Sequence, residues 1–328
     1  MLWTYLIKDC GTKKARCVCN GSPCLQGSVT LGPTYASALD QTGSRIFWAA
    51  TAKNNYITIG TDASNAFAEA PAPIALLYVT IDQPYCDWYS NKYPNKPPIP
   101  KDYVLPVKGA LQGHPESARL WAMLIDKVTK QLNLKACTHE PCLYYTDNYN
   151  NTGKKVLFLR QVDDFAVSCK DKTTALDVIE KINKKMTINV KQLGIISRYN
   201  GVDILQTRNF IKLHNQTYIN KILQRHDWIH QEKPMQSHPI PMNPDNTFQQ
   251  ELEQAPIINE KEVQKIENEM GFRYRQAIGE LIYALVTCCP DISYAVIKLS
   301  QYSTRPSKYI LRQSNRYTAI SAQLKMMA

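Results

Sequence analysis

Three aspartates are the residues of this chain whose types and positions could do metal-dependent chemistry. Asp62 follows the alternating β-branched and aromatic run 56–61, and Asp163 and Asp164 stand side by side much later in the chain. Adjacent carboxylates in a tight turn repel each other unless cations lie between them, and Mg²⁺ prefers oxygen ligands and phosphate groups. The pattern indicates a two-metal phosphoryl-transfer site, although most Asp-Asp pairs are solvated turns.

Two strand-like runs flank the acidic pair and predict a hairpin. Residues 155–162 and 165–169 are rich in valine, leucine and phenylalanine, and only Asp163 and Asp164 separate them. Two residues are the commonest loop length in β-hairpins. The sequence therefore predicts that both carboxylates lie at the hairpin tip, while the strand 56–61 carries Asp62 at its C-terminal end.

Helical periodicity predicts two helices that cover the sheet. After Pro115, apolar residues recur at helical spacing at Ala118, Trp121, Ile125, Val128 and Leu132. The segment 173–186 shows the same spacing, whereas proline, tyrosine and asparagine crowd residues 85–106 and favour an irregular loop. We therefore expect an α+β fold in which helices pack on one face of a small antiparallel sheet.

The sequence of the last third of the chain predicts a hairpin and three helices, with a linker between them. We expect a hairpin from 199–204 and 210–213, a helix over 216–228, a linker from 232 to about 263, and two helices within 273–302. Proline cannot continue a helix, so the break between the last two helices is placed at Pro290.

Length and composition exclude several classes of protein. With 328 residues, 44% hydrophobic and 20% charged, the chain is too long for a small disulfide scaffold and too apolar for wholesale disorder. No apolar run approaches the roughly 18 residues of a membrane span, and charge appears too early for a signal peptide. We therefore expect a globular protein that is neither membrane-inserted nor secreted, with its ten cysteines as thiols.

The net charge of +11 predicts a polyanionic partner such as nucleic acid. Residues 245–270 hold seven acids and two lysines, so the rest of the chain carries +16. A protein that is basic only for solubility would show the same total, and the charge alone leaves that alternative open.

Cations, an aromatic residue and a glycine turn outside the acidic cluster could contact a nucleotide. Lys14 and Arg16 could neutralise a triphosphate, or they belong to a solvated surface run. Phe67 could press on a sugar ring, although a core aromatic is the commoner case. Gln112 and Gly113 precede a predicted helix and could offer an amide and a flexible backbone, which turn chemistry would also explain.

Five motifs in order along the chain carry a family resemblance. They are Thr61–Phe67, Leu111–Gly113 with Arg119 and Trp121, Gln161–Asp164, Asn200–Ile204, and Tyr274–Gly279 with Pro290–Ile292. Together they resemble the reverse transcriptase of copia-type (Ty/copia) LTR retrotransposons, from about residue 5 to residue 308. The resemblance implies an RNA-directed DNA polymerase that joins a deoxynucleoside triphosphate to a primer 3′-hydroxyl with two Mg²⁺ ions, which Mn²⁺ could replace.

The resemblance also implies roles for the acidic residues. Asp62 and Asp163 would ligate both metal ions, and Asp164 would complete the acidic cluster. The Ala63 carbonyl would contact the metal bound to the nucleotide.

Nucleotide and primer contacts are implied in the same way. Lys14 and Arg16 would neutralise the triphosphate, Phe67 would exclude a 2′-hydroxyl, and Gln112 with Gly113 would line the incoming nucleotide. Primer positioning is implied for Gln161, Asn200 and Gly201. The family usually has tyrosine where this chain has Gln161, so base stacking is lost there while an amide hydrogen bond remains available.

The implied architecture is a right-hand polymerase with fingers and palm in residues 1–231. A proline-rich acidic linker over 232–266, a helical thumb or connection remnant over 267–310 and an unmatched tail over 311–328 would follow. The implied partners are an RNA or DNA template-primer and a deoxynucleoside triphosphate, and an intact element would assemble in a cytoplasmic particle.

The integrase and RNase H segments of such elements have no match here, so we expect a fragment of a Pol polyprotein. Two other functions stay open. One is a catalytically silent remnant that only binds nucleic acid, and the other is a two-metal nuclease.

Overall fold

A computed structural model describes residues 2–7, 11–21, 31–75, 78–100, 102–187, 190–226, 242, 250–251, 253–304 and 306–312. The chain forms two compact units, Met1–Ile196 and Ser197–Ala328. Each unit has its own hydrophobic core.

The first unit is built around a six-stranded sheet in which every neighbouring pair is antiparallel. Its strand order is β10-β3-β9-β8-β7-β6, with β3 Ile57–Ala63, β6 Lys135–Ala136, β7 Leu143–Tyr149, β8 Lys154–Gln161, β9 Asp164–Cys169 and β10 Val190–Ile195. Two further sheets of two antiparallel strands pair β1 Leu2–Ile7 with β2 Lys13–Val18 and β4 Tyr78–Thr80 with β5 Val104–Pro106. The predicted antiparallel α+β class is confirmed.

Helices cover both faces of the sheet, not one face as the periodicity predicts. The helices of this unit are α1 Gln41–Lys53, α2 Ala66–Glu69, α3 Gln83–Lys92, α4 Ser117–Gln131 and α5 Lys172–Asn183. Trp121 of α4 and Val178 of α5 share a core with Val167 of β9. The next residue, Ser168, hydrogen-bonds Thr51 of α1 at 2.9 Å, and successive strand residues point to opposite faces. The two predicted helices therefore lie on one face and α1 lies on the other.

The prediction of an irregular loop over 85–106 is wrong at both ends, because α3 begins at Gln83 and β5 occupies 104–106. Asp82 caps α3 by accepting a hydrogen bond from the Tyr85 backbone N–H, and Pro84 stands in the first turn, where its missing N–H costs nothing. Composition suggested a loop, but these capping residues favour a helix.

The second unit combines a small sheet with a helical core. It contains β11 Arg198–Tyr199, β12 Val202–Gln206, β13 Ile211–His214, α6 Gln216–Arg225, α7 Glu260–Met270, α8 Tyr274–Thr287, a 3₁₀ turn Pro290–Ile292, α9 Ser293–Ser300 and α10 Lys308–Arg312. The predicted break at Pro290 is confirmed. The predicted hairpin is confirmed for β12 and β13, which pair antiparallel. Its first strand is not continuous over 199–204, because a turn at Asn200 and Gly201 separates β11 from β12 and gives a three-stranded meander.

The predicted domain boundaries stay predictions. The structure divides the chain after Ile196, whereas position 231/232 lies outside the described residues. Helix α7 crosses the predicted end of the linker at 266, because Ile266 is buried in the core of the second unit. Most of 232–249 and nearly all of the tail 311–328 also lie outside the described residues. Within the described ranges, no helix combines the length and apolarity that a membrane crossing needs.

Candidate active site

The acidic hairpin turns one residue earlier than the sequence predicts. Gln161 pairs with Asp164 at the end of the β8–β9 ladder, so the two-residue loop consists of Val162 and Asp163. Asp163 therefore stands in the turn, while Asp164 is the first residue of β9. The prediction of Asp163 and Asp164 as the loop pair is wrong by one position, because the strand ladder extends as far as Asp164.

The register of the central strands brings the early aspartate to the later pair. Asp62 of β3 lies directly opposite Asp164 of β9, and residues facing each other across an antiparallel pair have side chains on the same face. The Ala63 backbone N–H donates a 2.8 Å hydrogen bond to the Asp163 carbonyl, which ties the turn to β3. Three acids from two distant chain segments thus meet at one end of the sheet.

The turn residue Val162 has a backbone φ of +53°, in the left-handed region. A β-branched residue rarely adopts this conformation, and such strained positions cluster at functional sites. The indole N–H of Trp121 donates a 2.6 Å hydrogen bond to the Val162 carbonyl, and the Trp121 ring stacks on Phe165. Helix α4 therefore supports the acidic turn from behind the sheet.

Sequence reasoning assigned Trp121 to the apolar face of its helix and missed this hydrogen bond. Tryptophan carries one donor that needs a partner when the ring is buried. A buried tryptophan on the predicted helix is therefore a sequence signal for a hydrogen bond from its indole N–H.

Burial and repulsion within the acidic cluster both act on the pKa of Asp164. Burial, together with the nearby charges of Asp163 and Asp62, raises the pKa of the Asp164 carboxyl to about 6. Two like charges facing each other across strands destabilise a sheet. The cluster therefore holds surplus negative charge that a cation would neutralise.

The donor chemistry of this cluster suits Mg²⁺, because its members offer only carboxylate oxygens. Among the described residues, however, no three acidic, histidine or cysteine side chains converge as a ready set of metal ligands. The backbone positions fit a metal site, and the carboxylates would have to turn toward a shared ion.

Gln161 is held by the fold beside these acids. Its side-chain carbonyl accepts a 3.1 Å hydrogen bond from the Leu39 backbone N–H, in the segment that leads into α1. Because Gln161 faces Asp164 across the hairpin, its amide lies on the same face as the carboxylates of Asp62 and Asp164. Its primer-positioning role stays a prediction.

The predicted nucleotide loop packs on the end of β2. The Cys19 backbone N–H donates a 2.7 Å hydrogen bond to the Gln112 carbonyl. Gly113 has a φ of +92°, and a Cβ atom there would overlap the Cys19 carbonyl, while one on Gly21 would overlap the Gly113 carbonyl. Both glycines are therefore required by close backbone approach, which joins this loop to the strand of Lys14 and Arg16.

Lys14 and Arg16 occupy alternate positions of β2 and so share one face of the β1–β2 hairpin. Neither forms an ion pair with a carboxylate in the described part of the chain. Their charges are available to an anion, and their contact with a triphosphate stays a prediction.

Phe67 of α2 is half-buried and packs against the core of the first unit. The core interpretation therefore accounts for part of its side chain, while the sugar-gate role stays a prediction. Ala63 is buried at the end of β3, and the role of its carbonyl toward a metal is likewise a prediction.

Asn200 and Gly201 belong to the second unit and form the turn between β11 and β12. Both have positive φ, +47° and +80°, as the tightest hairpin turns require. The neighbouring Asp203 accepts hydrogen bonds from the Thr217 backbone N–H at 2.7 Å and hydroxyl at 2.9 Å. The Asp203 carboxylate therefore anchors the first turn of α6. The primer-positioning role of Asn200 and Gly201 stays a prediction.

A family model described as reverse transcriptase (RNA-dependent DNA polymerase) matches residues 1–241, well over half of the chain. The chain belongs to the reverse transcriptase family. The match covers every predicted site residue, from Lys14 to Gly201.

The curated relatives that this chain matches include retrotransposon proteins. The Pol polyprotein from transposon TNT 1-94 of Nicotiana tabacum is 26% identical over 63% of this chain and 15% of its own length. A transposon Ty5-1 protein of Saccharomyces cerevisiae is 26% identical over 68% of both chains. The Pol polyprotein from transposon RE1 of Arabidopsis thaliana is 23% identical over 92% of this chain and 18% of its own length. These matches confirm the resemblance to copia-type elements.

Proposed function

We propose that this chain is an RNA-directed DNA polymerase that adds deoxynucleotides to a primer 3′-hydroxyl at the cluster of Asp62, Asp163 and Asp164. The observation that carries the proposal is the register that sets Asp62 opposite Asp164, next to the turn of Asp163. Family membership supplies the reaction class. The chain spans 15% of the tobacco polyprotein, so activities of the whole relatives are not assumed for it.

In this proposal the three carboxylates would hold two Mg²⁺ ions. Bound there, the ions would supply charge stabilisation for the attacking hydroxyl and the departing pyrophosphate. The chain's own residues position the reactants. Lys14 and Arg16 would offset triphosphate charge.

The repulsion within the cluster supports this proposal. Burial beside Asp163 and Asp62 raises the pKa of Asp164, so a negative charge on Asp164 is costly in the metal-free protein. A group of acids that is unfavourable without a cation is suited to bind one together with a phosphate.

Primer extension on an RNA template with Mg²⁺ tests the proposal. We expect Asp163→Asn to lower the extension rate by about a thousandfold or more, because electrostatic stabilisation is the largest catalytic contribution. The matched control is Asp147→Asn, which changes an exposed acid of β7 paired with Lys155 of β8 and should extend like wild type. Equal extension by wild type and Asp163→Asn would refute the proposal.

The silent-remnant alternative makes a different prediction in the same experiment. It expects salt-sensitive template binding by wild type without any extension. The nuclease alternative expects metal-dependent shortening of the labelled strand. No structural observation favours either over the polymerase.

A further inference from the structure

Helix α3 presents an exposed aromatic surface that the proposed active site does not use. None of its residues is buried. Aromatic and basic side chains nevertheless gather on it and just after it, and we name this group the aromatic platform: Tyr85, Trp88, Tyr89, Lys92, Tyr93 and Lys96. Four such side chains on a helix without a buried residue, and two more just after it, require an explanation other than core packing.

The rings of the aromatic platform support one another. Trp88 lies 5.3 Å from Tyr85 and 6.4 Å from Tyr93, measured between ring centroids. At one turn of spacing, the residues 85, 88, 89 and 92 share one side of the helix. Trp88 keeps 47% of its surface exposed, so its indole remains accessible to a flat ligand.

Two lysines lie over these rings. The Lys92 ammonium is 4.7 Å from the Trp88 ring centroid, and the Lys96 ammonium is 4.7 Å from that of Tyr93. Neither lysine is ion-paired to a carboxylate among the described residues. The aromatic rings and the lysine ammonium groups of the aromatic platform are therefore both at least partly exposed to solvent.

The acids near this surface have other partners. Asp82 accepts from the Tyr85 backbone N–H and from the Trp3 indole N–H. Asp87 accepts a 2.8 Å hydrogen bond from the Gln83 amide, and helical geometry sets it about 160° from Tyr85 and about 100° from Trp88 around the helix axis. The surface consequently presents positive charge and aromatic faces.

The same surface continues onto the first hairpin. Through its indole, Trp3 of β1 is joined to the capping residue Asp82 of α3, and the Trp3 and Tyr5 rings are stacked with centroids 6.3 Å apart. Tyr5 is largely exposed. Further aromatic faces thus lie next to the aromatic platform.

We propose that the aromatic platform binds a single-stranded stretch of nucleic acid. Every base has a flat face that can stack on an exposed ring, and phosphates attract lysine ammonium groups. A duplex hides its base faces, so the rings select unpaired strands. Charge complementarity favours nucleic acid over a protein partner, because the chain carries +11 overall. The proposal does not depend on nucleotidyl transfer.

Fluorescence anisotropy with labelled oligothymidylate and oligouridylate, in EDTA, tests this proposal on the full chain. EDTA removes metal-dependent binding, so failure of polymerase activity and failure of the aromatic platform are observed separately. We expect Trp88→Ala to weaken single-strand binding about five-fold or more, and Trp88→Phe to keep most of it. The matched control Tyr35→Ala removes a ring that is 80% exposed elsewhere in the first unit and should bind like wild type.

The lysines are tested by salt dependence. Replacing Lys92 and Lys96 together by glutamine should reduce the slope of log Kd against log salt by about 1.4, since each single-strand phosphate contact contributes about 0.7. The exposed control pair Lys127→Gln and Lys170→Gln should leave the slope unchanged.

Three results would overturn the proposal. The first is an unchanged Kd in Trp88→Ala with an unaltered helix signal in circular dichroism. The second is an equal loss of affinity for single strand and matched duplex. The third is a Trp88→Ala protein whose oligomeric state in sedimentation changes while its Kd for oligonucleotides does not. That result would assign the surface to contact with a second copy of the chain.

Discussion

At the scale of single residues, Asp164 is the acid that the fold makes costly to ionise. It lies in the sheet opposite Asp62 and follows Asp163 directly. Burial is the first cause of its raised pKa, and its two acidic neighbours add to it. The same geometry that would attract a cation therefore weakens the metal-free fold near neutral pH.

We predict that metal-free protein loses stability as the pH rises from about 4 to about 6 through Asp164. Its folded pKa of about 6 exceeds the ordinary value of 3.8. Stabilisation by the protonated form is therefore complete below the unfolded pKa and lost above the folded one. Calorimetric melting temperatures in EDTA at about pH 4.5 and about pH 7.5 measure this. Asp164→Asn should show a smaller decline, and parallel curves for the two proteins would contradict the prediction.

Phe67 allows a second test at this scale. If it excludes a 2′-hydroxyl, Phe67→Ala should lower discrimination against ribonucleotides about tenfold or more, while deoxynucleotide incorporation falls less. Leu120→Ala is the matched control, because Leu120 is also partly buried against the same core. Single-nucleotide incorporation kinetics with both sugars provide the ratio. Equal selectivity in wild type and Phe67→Ala would assign Phe67 to packing alone.

At the scale of elements, the β8–β9 hairpin shows how a strained turn is supported. Val162 adopts a positive φ that suits glycine. The Trp121 indole and the Ala63 N–H hold the two carbonyls of the turn. Helix α4 and strand β3 together fix the backbone position of Asp163, from which its carboxylate extends.

Val162→Gly should raise the free energy of unfolding by about 1 kcal/mol, because the strain of a β-branched residue at positive φ is removed. The side chain that is lost is 40% exposed, so little packing is sacrificed. Trp121→Phe, which removes the indole donor from the partly buried Val162 carbonyl, should instead lower the free energy of unfolding by about 1–3 kcal/mol. Urea unfolding measures both. Destabilisation by Val162→Gly would contradict the assigned strain.

The sequence predicts these elements better than their ends. Alternating apolar residues predict β3, β8 and β9 because each strand has a buried face. The turn lies one residue earlier than predicted because pairing of Gln161 with Asp164 extends the ladder, and that pairing leaves no mark in the sequence. Helix α3 was missed because its aromatic side is exposed, so it lacks the apolar stripe that predicts a helix.

At the scale of the whole chain, the two hydrophobic cores draw on separate parts of the sequence. The core of the first unit uses residues between Ile59 and Val190, and that of the second uses residues between Ile219 and Leu311. Which strand carried Asp62 could be predicted from sequence. Its position opposite Asp164 could not, because strand pairing across a hundred or so residues depends on tertiary packing.

Leu281→Ala should destabilise the second unit by about 2–5 kcal/mol, because Leu281 is fully buried in its core. Hydrogen exchange followed by mass spectrometry should show faster exchange in peptides from α8 and α9, while those from β8 and β9 keep their protection. Val167→Ala is the reciprocal control in the first unit. Equal loss of protection in both units would show that they unfold together.

The most direct test of the central claim counts the metal ions held by the three aspartates. Electron paramagnetic resonance of Mn²⁺ can be recorded with a deoxynucleoside triphosphate and a chain-terminated primer-template. We predict two bound ions in wild type and in Asp147→Asn, and fewer in both Asp62→Asn and Asp163→Asn. An Asp62→Asn protein that binds as many ions as wild type would contradict a site shared between the two chain segments.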